Sequence, residues 1–320
     1  MTIGLLLYYV SLLGITLLLV QSLNLIWRVR LFSLGHHGFF GLGAYVAVMV
    51  TKILVPKGAG QLPVGLGQRL EGLGVVAASV LAGFGTAFSV AWVMGRFFRR
   101  VRGDYFAVAT LIFAEIIRGS FSNISYVGGG LGFEAPYLVL SRVGEERILY
   151  EAFYSTALLM VNILVFAIVR RIDGSVYGLY LSGLKEDCIA LEHSGVDVVS
   201  LQSMLFSWCC GLAGAAGAMF LHFTTLVVPG DFSFVNGLPV ILAVAMGGLH
   251  SSGCVMAAAF IYIVYEGLKN GFFGLLEWEY AAMASDWKDA ILGLILVVSV
   301  VSLALRGRRR QVVRRHEEGP

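Results

Sequence analysis

The sequence predicts an all-α, polytopic helical membrane protein with about nine transmembrane spans, some of them short or broken by glycine. Of its 320 residues, 58% are hydrophobic and 13% are charged, whereas a soluble domain carries roughly 25% charged residues. The 40 glycines are a second indication, because small residues let helix backbones approach closely within lipid. Apolar runs make up almost the whole chain, so we expect one transmembrane domain over residues 1–320.

The lengths of the apolar runs predict seven clear spans, since a helix needs about 20 apolar residues to cross a bilayer. These runs are Ile3–Trp27, Leu34–Leu54, Val75–Phe97, Tyr105–Phe121, Ala152–Val169, Leu201–Phe223 and Ala290–Leu305. A further apolar region, Pro239–Gly267, is broken by Gly247, Gly248 and Gly253. It is long enough for two short spans joined by a tight turn, although a re-entrant segment fits the same pattern.

Basic residues follow the odd-numbered spans, and this pattern predicts the orientation of the chain because Lys and Arg are enriched in cytoplasmic loops. The clusters are Arg28 and Arg30; Arg96, Arg99, Arg100 and Arg102; Arg170 and Arg171; and Arg306, Arg308, Arg309, Arg310, Arg314 and Arg315. We therefore expect the N-terminus outside and the basic tail, residues 306–320, in the cytosol. The net charge of +3 does not indicate a nucleic-acid partner, because the basic residues lie at the ends of apolar runs. Lipid is the expected surrounding.

One short polar segment, Gly178–Val196, interrupts the apolar pattern and is predicted to be a cytosolic amphipathic helix ending near Gly195. An apolar stripe at i, i+3, i+7 and i+10 comprises Leu181, Leu184, Cys188 and Leu191, and off it lie Lys185, Glu186, Asp187, Glu192 and His193. Spacing alone fits either an ordinary solvated loop helix or a docking surface for a soluble partner.

Two glycine-broken segments occupy comparable places in the two halves of the chain. The first, Ser33–Ala44, opens the second span and includes Gly41 and Gly43; the second is Val240–Gly253. Paired interrupted spans often mark the substrate path of a transporter. Close helix packing alone would also explain them.

Glu115 and Arg118 are spaced i, i+3 inside the fourth span, near its predicted outer end. Ionisable groups within a membrane are costly and suggest function, although this pair can neutralise itself. His36 and His37 have no further ligands at metal-binding spacing, and the four cysteines show none either. We therefore expect no metal and no other cofactor. The chain has neither a phosphate-binding loop nor a catalytic motif, so it is not predicted to be an enzyme, and another chain would have to bind ATP.

Six segments in order resemble the permease subunits of bacterial branched-chain amino-acid ABC importers. They are Ser33–Tyr45, Arg102–Arg118, Val127–Phe133, Leu184–Val198, Ser207–Phe223 and Ala243–Gly253. The resemblance covers nearly the whole chain. It implies a permease in the bacterial inner membrane that pairs with a second permease, identical or homologous. Cytosolic ATP-binding subunits and a periplasmic substrate-binding protein would complete the importer.

The resemblance also implies roles for particular residues. The coupling segment, residues 172–198, would contact the ATPase through Leu184, Lys185, Glu186, Asp187, Leu191 and Glu192. The glycine-broken segments and the ionisable group within the fourth span, not the resemblance, predict the residues of the translocation pathway, Gly41, Gly43, Glu115 and Gly247. The coupling segment departs from the family, which carries basic residues soon after its first glycine, whereas Leu-Tyr-Leu-Ser follows Gly178 here. Cys188 also stands where a less reactive side chain is typical.

Hydrophobic or branched-chain amino acids are the expected substrates, and urea, short amides or other small solutes remain alternatives. Two other mechanisms stay open. One is a carrier driven by an ion gradient with Glu115 as its coupling site. The other is a structural membrane subunit that supports a partner permease.

Overall fold

The computed structural model describes residues 2–55, 66–97, 104–136, 138–139, 147–248 and 251–269, with a few single residues beyond them. Within these residues the helices are α1 (Thr2–Arg28), α2 (His36–Leu54), α3 (Leu66–Phe97), α4 (Asp104–Asn123), α5 (Arg147–Asp173), α6 (Val176–Glu186), α7 (Cys188–His193), α8 (Val198–Thr224), α9 (Phe234–Gly247) and α10 (Ser251–Lys269). Short 3-10 helices cover Ser125–Val127, Gly129–Leu131 and Pro229–Phe232. Two-residue strands, β1 (Phe133–Glu134) and β2 (Leu226–Val227), pair antiparallel. The all-α prediction is confirmed.

Seven helices in the described part of the chain are long and apolar enough to cross a membrane. Six of them match the first six predicted spans, and the seventh is the stretch Pro229–Gly247, which joins the 3-10 helix Pro229–Phe232 to α9. This stretch begins well before Pro239, the expected start of the broken region. A shorter apolar helix, Ser252–Val264, follows it. The predicted span Ala290–Leu305 falls almost wholly outside the described residues, as does the basic tail.

The chain divides into two units, Met1–Gly237 and Leu238–Pro320. In the first unit, the ends of α1 and α5 meet the start of α8, because Val29, Ile172 and Val198 share one apolar cluster. The last turns of α3 join the same end, where Gly95 lies against Ser203. The basic residues in the last turns of α1, α3 and α5 are therefore gathered at one end of the helices, which we call the basic end; they are Arg28, Arg96, Arg170 and Arg171.

Glycine contacts hold α2, α3 and α8 together at the centre of the first unit. A Cβ atom on Gly43 would overlap the backbone of Gly214, and one on Gly214 would overlap the carbonyl of Gly83. A Cβ on Gly217 would likewise overlap the carbonyl of Phe40. Because no side chain separates these backbones, the three helices pack at the closest possible distance.

Polar side chains join α1 to α5 within the apolar part of the unit. The amide of Gln21 donates to Asn162 Oδ1 at 3.0 Å, and Asn162 Nδ2 donates to the Gly14 carbonyl at 2.8 Å. The α1 and α5 backbones are close here, since a Cβ on Gly14 would lie 3.0 Å from Leu158 Cβ. Interhelical hydrogen bonds of this kind contribute roughly 0.6–2 kcal/mol in membranes.

The second helix begins inside the bundle rather than at its end. His36, its first residue, shares a 2.8 Å hydrogen bond with Ser22 Oγ, which lies six residues before the end of α1. At 1.5 Å per residue, α2 therefore starts about 9 Å inside the basic end. Thr110 Oγ1 accepts from the backbone N–H groups of Leu34 and Gly35, which supplies partners for the irregular backbone just before the helix.

In the second unit, α9 ends at Gly247 and α10 begins at Ser251, and glycines lie where the two helix ends meet. Gly248 has φ +67°, a conformation that favours glycine. A Cβ atom on Gly247 would overlap the backbone of Cys254. The thiol of Cys254 also lies 2.8 Å from the Gly248 carbonyl. The glycine-broken region therefore contains two helices, as expected; whether it crosses the membrane twice stays a prediction.

We predict that Gly43→Ala lowers the apparent melting temperature of the purified protein, because the new methyl group would overlap Gly214 and overpacking costs about 1–3 kcal/mol. Gly85→Ala is the matched control, since nothing lies within 4 Å of its Cβ position. That control should be neutral or stabilising, given the higher helix propensity of alanine. Equal melting temperatures for the two variants would contradict the close-contact account.

Candidate functional site

The segment between α5 and α8 lies at the basic end and turns sharply after Asp173. The Gly178 N–H donates to the Ser175 carbonyl at 3.0 Å. A side chain at Gly178 would overlap the carbonyl of Asp173. Glycine at this position therefore lets α6 fold back directly against the end of α5.

The segment forms two helices rather than the single helix that was expected. The break is at Asp187, whose Oδ1 accepts from the N–H groups of Ile189 at 2.8 Å and Ala190 at 3.2 Å. Asp187 is thus the N-cap of α7, a position where aspartate is strongly preferred. The end of the segment is as predicted, because α7 stops at His193 and Gly195 takes φ +86°.

The predicted apolar stripe is confirmed, even though it crosses the break between α6 and α7. Leu181 and Leu184 are buried with Val29 and Val198 in one cluster, which we call the anchor cluster. Cys188 and Leu191 pack at its edge, together with Leu31, Ile172, Leu201 and Leu205. Leu184 is completely buried, so it attaches the segment to the bundle and does not present itself to a partner.

An ion pair fixes the ends of α1 and α5 beside the anchor cluster. Arg28 Nη1 lies 2.5 Å from Asp173 Oδ1, and Arg28 Nε donates to Asn24 Oδ1 at 2.9 Å. From α8, Gln202 Nε2 donates to the Val29 carbonyl at 2.8 Å. Because Arg28 is buried, removing its partner would leave a buried charge without its counter-ion and would destabilise this end of the bundle.

The opposite face of α6 and α7 is exposed and carries both charges and apolar side chains. Lys185, Glu186 and Glu192 are exposed, as the amphipathic pattern predicts. The sequence reasoning missed Leu179 and Ile189, which are 69% and 65% exposed. The signal was present, since both residues lie off the buried stripe. Partial burial lowers the pKa of Lys185, as does Arg28, while Asp173 acts in the opposite direction.

The residues predicted for a pathway lie at close contacts in two separate units. Gly41 packs under the Phe232 ring, whose nearest atom would be 2.8 Å from a Cβ on the glycine. Gly43 lies in the α2–α3–α8 contact, and Gly247 lies against Cys254 where α9 and α10 meet. Their close approaches are observed, and their part in a pathway stays a prediction.

Glu115 and Arg118 form an ion pair, with Arg118 Nε donating to Glu115 Oε2 at 2.7 Å. Glu115 is residue 12 of the 20 in α4. The pair was expected near the outer end of the fourth span; in α4, about 12 Å of helix follows Glu115 and about 8 Å follows Arg118. Their side chains are 40% and 37% exposed.

A break in the backbone before α9 was also missed. After β2, the chain follows a non-helical path and a short 3-10 helix over Val228–Ser233, which we call the Pro229 turn. The sequence signal was the Pro229–Gly230 pair, a strong turn former. Among the described residues, no group of His, Cys, Asp or Glu could hold a metal ion.

In the part of the chain that the structure describes, seven helices long and apolar enough to cross a membrane define a multi-span membrane protein, with an anchored amphipathic segment at one end. A family model described as "Branched-chain amino acid transport system / permease component" matches residues 5–300. The chain belongs to this family.

Curated relatives carry the same description. The chain is 26% identical over 267 residues to the high-affinity branched-chain amino acid transport system permease protein LivM of Salmonella typhimurium, and 27% identical to LivM of Escherichia coli. Each alignment covers 76% of this chain and 58% of the relative. A probable LivM of Methanocaldococcus jannaschii is 22% identical over 250 residues, and the alignment covers 76% of this chain and 67% of the relative. No solved structure matches the chain.

We predict that Leu184→Asp detaches α6 from the bundle, because an unpaired carboxylate in the anchor cluster costs several kcal/mol. Backbone amides in residues 176–186 should then exchange hydrogen at least about tenfold faster by mass spectrometry. Leu179→Asp is the matched control on the exposed face and should exchange like the parent. Equal rates in the two variants would show that the anchor cluster does not hold the segment.

Proposed function

We propose that this chain is the permease subunit of an ABC importer that carries branched-chain or other hydrophobic amino acids across the bacterial inner membrane. Membership of the branched-chain amino acid permease family is the observation that supports this proposal most strongly. The anchored segment α6–α7 gives a physical basis for the ATP-driven step. One face is fixed to the bundle and the other carries exposed charged and apolar side chains.

In this mechanism the basic end lies in the cytosol, with the N-terminus outside and the C-terminus inside. Enrichment of arginine at this end supports that orientation. A cytosolic ATPase docks on the exposed face of the segment through Lys185, Glu186, Glu192 and the neighbouring apolar residues, and a second ATPase docks on the other permease. A second permease, identical or homologous, completes the membrane part, and a periplasmic binding protein delivers the substrate.

Alternating access would follow from closure of the two ATPases on ATP binding. Closure displaces α6 and α7, and the anchor cluster transmits the displacement to α1, α5 and α8, which meet there. The Arg28–Asp173 pair keeps the ends of α1 and α5 together during the movement. The contacts at Gly41, Gly43 and Gly247 lie in helices that would line or close the pathway.

We predict ATP-dependent leucine uptake by vesicles that contain the complete complex. Uptake should be lost when ATP is replaced by a non-hydrolysable analogue and should survive an ionophore. ATP-dependent uptake of urea or a short amide, with no uptake of leucine, would support the ATP-driven mechanism but show that the substrate is not a branched-chain amino acid. Uptake that needs no ATP but collapses with the ionophore would instead favour a gradient-driven carrier that uses Glu115.

We also predict that Glu186→Arg abolishes co-purification of the ATPase, because the substitution reverses a charge on the exposed face without entering the anchor cluster. Glu71→Arg is the matched control, since Glu71 is exposed in the first turns of α3, far from the basic end. The control should retain the ATPase. If both variants retain it, Glu186 is not part of the docking surface.

A further inference from the structure

The Pro229 turn lies near the middle of the bundle, where irregular backbone is unusual. The helices α1, α5 and α8 have 27 residues each, so the bundle is about 39 Å long. Phe232 packs against Gly41 and its ring contacts Tyr45 at 5.7 Å between centroids. Since α2 starts about 9 Å inside the basic end, Phe232 lies about 16–22 Å from that end. The turn is thus about halfway along the length of the bundle, a position that we call mid-depth.

Part of this turn is exposed on the surface of the subunit. Gly230 and Asn236 are exposed, and Asn236 Nδ2 donates to the Gly230 carbonyl at 2.9 Å. Asp231 is half-buried, and its Oδ2 accepts from the Val228 N–H at 3.1 Å. Irregular backbone does not face lipid in the hydrocarbon region. This surface must therefore face water or another protein.

The Glu115–Arg118 pair lies at the same depth as the turn. The two helices α2 and α4 run parallel: a Cβ on Gly38 would lie 2.6 Å from the Ala114 Cα, and Tyr45 stacks on Phe121 at 4.2 Å. Residues 115–118 are therefore level with residues 39–42 of α2. Gly41, which contacts Phe232, is within that range.

The pair also lies on the side of α4 that adjoins the turn. By the helix period, Glu115 and Arg118 share one flank, whereas Phe113 is on the other flank, where it contacts Phe39 at 5.1 Å between ring centroids. The buried face between the two flanks packs on α2, and α4 also contacts Pro229–Phe232. The arrangement gives one half-exposed polar wall at mid-depth, formed by the Glu115–Arg118 flank and the Pro229 turn with Asn236.

We propose that this polar wall binds the charged groups of a zwitterionic amino acid in the translocation pathway. The guanidinium of Arg118 has five N–H donors, of which Nε is used by Glu115, and its planar fork suits an α-carboxylate. The carboxylates of Glu115 and Asp231 suit the α-ammonium group. Val235, 48% exposed beside Asn236, offers an apolar contact for the side chain. Urea has neither charge, so it gains nothing from this wall. The inference rests on the proposed import of amino acids.

A labelling experiment tests whether the wall faces water. In the complete complex, Asn236→Cys should react with a charged, membrane-impermeant thiol reagent above the level of the parent chain, and leucine should slow the reaction while urea does not. Ile163→Cys is the control, since Ile163 is 66% exposed near the middle of α5 and should stay unlabelled. Absence of labelling at Asn236→Cys, or equal protection by urea, would overturn the proposal.

A transport experiment tests the charges. Arg118→Gln and Glu115→Gln should each reduce ATP-dependent leucine uptake at least about tenfold, as expected for loss of a charge-assisted contact, while the complex still co-purifies. Arg118→Lys should retain more uptake than Arg118→Gln, and Glu71→Gln should resemble the parent. Parent-like uptake by Arg118→Gln, or loss of the second permease from that complex, would overturn the site. A parent complex without leucine uptake would instead refute the proposed function itself.

Discussion

An apolar surrounding offers no hydrogen-bond partners, so polar groups inside this chain are stabilised when the chain itself supplies them. This constraint explains the buried amide pair Gln21–Asn162 and the hydroxyl of Thr110 beneath the start of α2. The same constraint makes the Pro229 turn conspicuous, since irregular backbone and the Gly230 carbonyl reach the subunit surface at mid-depth. Close glycine contacts such as Gly43–Gly214 make the arrangement possible, because they let α2 sit deep between its neighbours.

At the basic end, the segment α6–α7 has one face buried against the bundle and an opposite face that is exposed. Leu181 and Leu184 are buried against the ends of α1 and the start of α8, so α6 cannot move independently of those helices. Lys185 and Glu186 point away from this contact and are exposed. A partner that binds the exposed face therefore acts on the whole bundle. The Arg28–Asp173 pair extends this connection to α5.

Composition predicted the fold class, the lengths of the apolar runs predicted the first six spans, and helical periodicity predicted the buried stripe of the amphipathic segment. The apolar stripe packs on the bundle on both sides of the break at Asp187. Contact with the bundle surface therefore decides which residues are buried, even where the helix is interrupted. Asp187 was read as a contact residue, although aspartate before an apolar run also signals a helix cap. The depth of Glu115 depends on where α4 ends, and span boundaries are poorly fixed by composition. The Pro229 turn lies between apolar runs in the sequence, and its depth follows only from the contacts of Phe232 with Gly41 and Tyr45 in the structure.

The most direct test is photo-cross-linking of the assembled complex in membranes, with a benzophenone amino acid in place of Glu186. The account predicts a cross-link to a cytosolic ATPase, identified by its nucleotide-binding peptides. The same probe at Tyr126, which is exposed after α4 at the opposite end, should not capture that ATPase. Capture of the ATPase from Tyr126, or of a periplasmic protein from Glu186, would contradict both the orientation and the role of the anchored segment.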